Sequence, residues 1–184
     1  SSNHKYIEIY NPTSSAISLA GYTVYLSGNG GSYTNTFTSN ASIASGDVYV
    51  VSTNQADSII QAAADTILSY PSIVHFNGDD ALILFDGTDT IDVIGVPGVD
   101  PGSSWPVGSG STANHTLVRM ASITGGTTDW TTGALEWDVY PQNTWTYIGS
   151  HSSSCLSGGG GGPLPGACSD LFFSEYGEGS SNHK

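Results

Sequence analysis

The chain has 184 residues, with 3 Lys or Arg against 16 Asp or Glu and a formal net charge of −13. That length fits one domain able to bury roughly 70% of its unfolded surface, so a core needs no metal to hold it. The charge excludes a nucleic-acid binder, which needs a Lys/Arg surface to displace phosphate counterions, and the lack of any apolar run near about 20 residues excludes a membrane span.

A self-repelling extracellular or cell-surface module fits this balance. No secretory leader is visible in the segment, so an exported chain would be seen here in a mature or internal part. Thr, Tyr and Val are abundant and Lys and Glu scarce, which suits strands better than helices.

In chain order, Lys5 to Asn11 alternates with period two, placing Ile7 and Ile9 on one face and Tyr6, Glu8 and Tyr10 on the other. This predicts a strand with one buried face, ended by Pro12. Gly21 to Leu26, Tyr33 to Phe37 and Val48 to Ser52 read as further strands between Gly/Asn/Ser turns. The Ala-rich stretch 54–68 carries Ile59, Ile60, Ala63 and Ile67 at helical spacing, with Thr53 or Asn54 to cap it. It predicts one short amphipathic helix ended at Tyr70-Pro71. Ile73 to Phe76 and Ala81 to Phe85 flank Asn77-Gly78, a strong hairpin signal. Asp86-Gly87 is a second turn before Thr90 to Ile94, and Gly95 to Gly110 is a loop. His115 to Met120, Trp137 to Tyr140 and Trp145 to Ile148 complete a body over residues 1–151, with Trp130 expected to plug an irregular stretch.

Residues 152–169 change character and read as a Gly/Ser/Pro linker holding both cysteines, Cys155 and Cys168. A local bridge would contribute about 3 kcal/mol by closing a short loop in an oxidising compartment; a bridge between chains is the alternative. Then Leu171, Phe172, Phe173, Ser174, Glu175 and Tyr176 form a strand after the point where a domain should have ended. The residues Ser1-Ser2-Asn3-His4-Lys5 recur as Ser180-Ser181-Asn182-His183-Lys184, an offset of 179. Counted once, they join the tail to the head as L-F-F-S-E-Y-G-E-G-S-S-N-H-K-Y-I-E-I-Y-N-P-T, two strands and a loop, a complete hairpin.

That joined stretch resembles the opening of the lamin-tail domain as found in secreted bacterial proteins. Further motifs follow in order: Leu19-Ala20-Gly21-Tyr22, Gly46-Asp47-Val48-Tyr49-Val50-Val51, Phe76-Asn77-Gly78-Asp79-Asp80-Ala81, Ile91-Asp92-Val93-Ile94-Gly95, Asn114-His115-Thr116-Leu117-Val118-Arg119 and Glu136-Trp137-Asp138. The resemblance covers residues 1–151 and 170–184, with the family's first strand displaced to the C-terminus. It implies an all-β, immunoglobulin-like β-sandwich.

The expected partner of the chain is a copy of itself. The assembly strand, Leu171 to Tyr176 within residues 170–184, pairs with the acceptor strand Tyr6, Ile7, Glu8, Ile9 and Tyr10 of the same or an adjacent copy. This gives a tandem repeat, a strand-donor filament or a circularly permuted monomer. The linker chooses none of these, since 152–169 can reach about 60 Å extended. The reading from another class is an accessory adhesion or targeting module of a secreted enzyme such as a nuclease.

No catalytic residue and no cofactor is expected: there is no G-x-S-x-G, H-E-x-x-H or C-x-x-C, and the histidines fall in different elements. His4 reads as a surface residue of the hairpin loop and His115 as a sheet-edge or hydrogen-bonding residue. Asp79, Asp80 and Asp86 are weak Ca²⁺ candidates, with ordinary turn chemistry as the competing reading. Asn40 and Asn114 open glycosylation sequons. The four tryptophans, Trp105, Trp130, Trp137 and Trp145, read as core and loop plugs rather than a ligand platform.

Overall fold

A computed structural model describes residues 3–155 and 168–180. Strands β1 (Lys5–Tyr10), β2 (Ile17–Ser18), β3 (Thr23–Ser27), β4 (Tyr33–Phe37), β5 (Ser42–Ile43) and β6 (Val48–Thr53) precede helix α1 (Ser58–Ala63). Then come β7 (Thr66–Leu68), β8 (Ala81–Phe85), β9 (Thr90–Ile94), β10 (Pro106–Val107), β11 (Gly110–Ser111), β12 (His115–Arg119), helix α2 (Trp130–Gly133), β13 (Trp137–Pro141) and β14 (Phe172–Glu178). The fold is an immunoglobulin-like, all-β sandwich with two short helices. Among the described residues, the two main sheets have six strands, in the order β13-β12-β14-β1-β6-β7, and four, β4-β3-β8-β9; β2-β5 and β10-β11 form two small two-stranded sheets.

The period-two strands explain the core. Ile7, Ile9, Val51, Leu117, Phe173 and Tyr176 of the larger sheet join Val24, Leu26, Leu82 and Leu84 of the smaller one in a single apolar cluster. Trp105, Trp130 and Trp137 are buried against the same cluster, while Trp145 is half-buried on the opposite face of the large sheet. Among the described residues, no helix is long and apolar enough to cross a membrane.

Four local expectations are corrected. The helix expected over 54–68 is only Ser58–Ala63, and its cap is Asp57, whose carboxylate accepts from Ile59 N–H at 2.9 Å. Ala64 turns extended, and the β-branched pair Thr66 and Ile67 does better in a ladder, where β7 runs parallel to β6. Ile73 to Phe76 is a buried turn and not a strand: Ile73, Val74 and Phe76 plug the core. Asn77 to Asp80 is accordingly no hairpin loop. Asp80 instead closes the turn on itself, accepting from Asn77 N–H at 2.9 Å. Trp145 to Ile148 is also irregular, and it lies across the outer face of the large sheet.

That last segment explains the fourth correction. Strand β1 has both faces buried, not one. Tyr6 packs with Ala56 and Ile60 under Trp145 and Ile148, a second small core outside the sandwich. Tyr10 meets the His151 ring edge-on at 4.8 Å. Residues 143–151 thus form a strap over the face that alternation alone would assign to solvent.

Candidate functional site: the seam between the first and last strands

Strand β14 lies between β12 and β1 in the chain's own sheet, antiparallel to both. Its register against β1 runs from Lys5 opposite Glu178 to Tyr10 opposite Phe172. The register shifts beyond the Glu8–Glu175 pair, where Ser174 is the extra residue of a β-bulge. The bulge turns Ser174 and Glu175 both toward the strap side, so Ser174 Oγ donates to Glu8 Oε1 at 2.7 Å. Every residue of β14 is buried.

Three polar groups fasten this strand. At the strap, Glu8 and Glu175 face each other across the seam at 1% and 0% exposure. Gly149 N–H donates to Glu8 Oε2 at 2.7 Å, and the Tyr6 hydroxyl donates to Glu175 Oε1. Burial pushes Glu8 up to about 7. Burial pushes Glu175 up to about 8, with the Glu8 charge adding to the rise and the Tyr6 hydrogen bond opposing it. Both are therefore protonated well above the ordinary carboxylic range.

At the open end of the seam, Lys5 Nζ donates to Phe76 O and lies 3.8 Å from Glu178 Oε1. Burial lowers the Lys5 pKa and raises that of Glu178. Glu178 Oε2 also accepts from Asn114 N–H at 2.9 Å. At the other end, Asp92 of β9 accepts from Phe173 N–H at 2.9 Å and from Thr127 N–H at 2.9 Å. The same carboxylate pairs with Arg119 at 3.2 Å, and Arg119 reaches on to Glu136 at 2.6 Å. This triad links the two sheets where β14 enters. The guanidinium lies over the Trp137 ring at 4.7 Å. Asp92, Arg119 and Glu136 stand in the sequence motifs above, but nothing there predicts that they pair between the sheets or that Gly149 donates to Glu8. The available signal was Arg119 itself, a lone guanidinium in the apolar strand Leu117-Val118-Arg119, in a chain with few cations.

Cys155 and Cys168 are joined by a disulfide, with Cα atoms 5.8 Å apart. Ser154 N–H donates to Ala121 O at 2.8 Å and Cys168 N–H to Thr124 O at 3.0 Å. Tyr22 donates to Asp170 at 2.7 Å, holding the chain as it turns into β14.

Residues 3–4 and 179–180 meet at the Lys5–Glu178 end of the seam. Gly179 N–H donates to His4 O at 2.8 Å, and Asn3 N–H donates to Ser180 O at 3.4 Å. His4 is buried, not on the surface: its Nδ1 accepts from Asp57 N–H at 2.8 Å and its ring meets Trp145 edge-on. His183 and residues 181–184 lie outside the described residues, as do 156–167. His115 is half-buried and bonds Ala113 O at 2.7 Å through Nδ1.

The three aspartates offered for calcium do not come together into a cluster. Asp80 accepts from Asn29 and Asn77 N–H groups, and Asp86 from Thr88 and Asp89 N–H groups, so their oxygens serve turns. Among the described residues, no group of three or more His, Cys, Asp or Glu side chains is arranged to hold a metal ion.

Neither the curated proteins nor the solved structures provide a match. The family model of the lamin tail domain matches residues 1–98, which hold β1 to β9 and carry the seam's β1 side, the α1 corner and the whole four-stranded sheet. The chain belongs to the lamin tail domain family.

Proposed function

We propose that the chain is a non-enzymatic, exported structural module that joins copies of itself head to tail through β14. One observation carries this reading: residues 3–4 and 179–180 face each other as the two sides of one hairpin loop. A continuous chain from Glu178 to the next Lys5 needs the five residues Gly-Ser-Ser-Asn-His. Gly179 and Ser180 on one side, and Asn3 and His4 on the other, already stand hydrogen-bonded in the places such a loop requires. Only the serine that is both Ser2 and Ser181 is needed to close it. Five residues is an ordinary hairpin loop.

The repeated S-S-N-H-K therefore allows β14 of one copy to run directly into β1 of the next, in a tandem array or by strand donation. A lone chain closes the same sheet with its own β14, as a circular permutant would. Exchange between chains is the swap of an identical element, and a head-to-tail contact that does not close propagates as a filament. The disulfide supports an oxidising, extracellular or cell-surface location, and the net charge of −13 supports solubility there. An accessory adhesion or targeting role beside a secreted enzyme would use the same sandwich but gives the five-residue repeat no purpose.

The test is light scattering and electron microscopy of the full chain refolded over a range of concentrations. Linear oligomers lengthening with concentration are expected. The chain lacking 170–184 should neither assemble nor melt cooperatively, and a separate peptide of residues 168–184 should restore its melting transition. A full chain that stays a single copy at every concentration, or a truncated chain with an unchanged melting temperature, overturns the reading.

A further inference from the structure

The disulfide lies where the chain enters β14 from the body. In a single chain it bridges only the 12 residues 156–167, and so connects two segments that the backbone already connects. Its two halves nevertheless belong to different sides of the seam. Cys155 ends the body: it follows the strap, with Ser154 bonded to Ala121 O and Cys155 Sγ 3.6 Å from Thr124 O. Cys168 begins the incoming strand, three residues before Leu171, and is seated by its own N–H on Thr124 O. None of these contacts depends on residues 156–167. The body recognises the segment Cys168 to Glu178 through Thr124, Tyr22, Asp92, Glu8 and Asn114, whichever copy supplies it.

On the head-to-tail reading above, we infer that the Cys155–Cys168 bridge is an assembly lock. When β14 is donated to a neighbour, Cys168 of the donor arrives 5.8 Å, Cα to Cα, from Cys155 of the acceptor, and the bond becomes intermolecular. Each junction is then covalent, and the polymer cannot lose copies while the bridges stand. Closure from the reduced state removes two protons and two electrons from the two thiols. A small-molecule disulfide accepts them and leaves as two thiols, through a mixed-disulfide intermediate. Released copies require the reverse step, supplied by a thiol reductant.

The experiment uses the full chain. It is reduced and refolded at high concentration, oxidised with oxidised glutathione, and run on a denaturing gel without reductant. A ladder of whole multiples of the chain is expected, collapsing to one band when reduced. In parallel, Cys155→Ser and Cys168→Ser chains are refolded together. Each lacks its own bridge, but the first supplies Cys168 and the second Cys155. A covalent heterodimer is expected in the mixture and in neither variant alone, with peptide mapping joining the Cys168 peptide to the Cys155 peptide. Oligomers that form by light scattering under reduction, yet give no ladder and no heterodimer on oxidation, overturn the lock and leave the head-to-tail reading standing. A chain that forms no oligomers in either redox state overturns both. The wild-type ladder decides the matter even if a single-cysteine variant does not fold.

Discussion

At the scale of single residues, the seam carries an unusual pair. Glu8 and Glu175 are opposed on neighbouring strands, buried, and face hydroxyl and amide donors without a cation among their bonded partners. Asp65 and Asp47, the other charges acting on Glu8, are also acidic and raise it further. Both folded-state values, about 7 and about 8, stand above the ordinary 4.5. The folded chain therefore binds protons that the unfolded chain releases, and stability falls as pH rises from about 4.5, until the loss is complete above about 8. Glu175→Gln keeps an oxygen to accept from Tyr6 and removes one titration. It is expected to flatten the fall in urea midpoint between pH 5 and 9 and to add on the order of 2 kcal/mol at pH 9. Parallel wild-type and variant profiles would show that the pair does not titrate in this window. Where β14 enters, the buried carboxylates do have a cation: Arg119 pairs with both Asp92 and Glu136. A guanidinium is suited to this because it presents several donors in a fixed plane.

At the scale of elements, β14 and β1 are shaped to fit each other. Gly177 is opposite Tyr6 in the register, and a Cβ at Gly177 would come within 2.2 Å of Tyr6 Cε1. That ring is wholly buried and bonded to Glu175, so it has no room to swing away. Gly177→Ala is expected to cost about 1–3 kcal/mol through overpacking, with hydrogen exchange accelerating first in β1 and β14. Unchanged protection in both strands would mean that Tyr6 yields more easily than its burial implies. The strands themselves were readable from period-two alternation, and the tail's place beside β1 could be inferred once S-S-N-H-K was seen twice. The Tyr6–Gly177 contact was not readable, because it depends on a register that the Ser174 bulge resets. The strap is not legible in the sequence for a related reason. Trp145 to Ile148 has the composition of a strand, and only its position over Tyr6 and Glu8 shows what it covers. Ile67 falls on the helical period of the α1 stretch and is also a good strand residue; the pairing with β6 decides in favour of the strand.

At the scale of the whole molecule, the question is which body a given β14 completes. Without it the large sheet divides into β13-β12 and β1-β6-β7, leaving open ladder edges and an exposed apolar trough. Two routes close the gap. Returning to its own body, β14 must close the 12 residues 156–167; running on into the next copy, it closes five. Chain entropy favours the shorter closure by about 0.8 kcal/mol, or roughly fourfold. The difference can be measured in a two-copy chain of 179-residue period whose second copy ends at its own Cys155, so that two bodies compete for one β14. With a protease site placed in the first 156–167 segment, the chain is reduced, refolded, oxidised and cut. If β14 has stayed with its own body, the bridge holds the two fragments together on a non-reducing gel. If it has run on into the second body, the bridge lies wholly within the second fragment and the two separate. Separation in roughly four chains of five is expected. Fragments held together in most chains would mean that the contacts of the segment after Cys168 with its own body outweigh loop entropy, and that the array forms only when copies are forced to exchange.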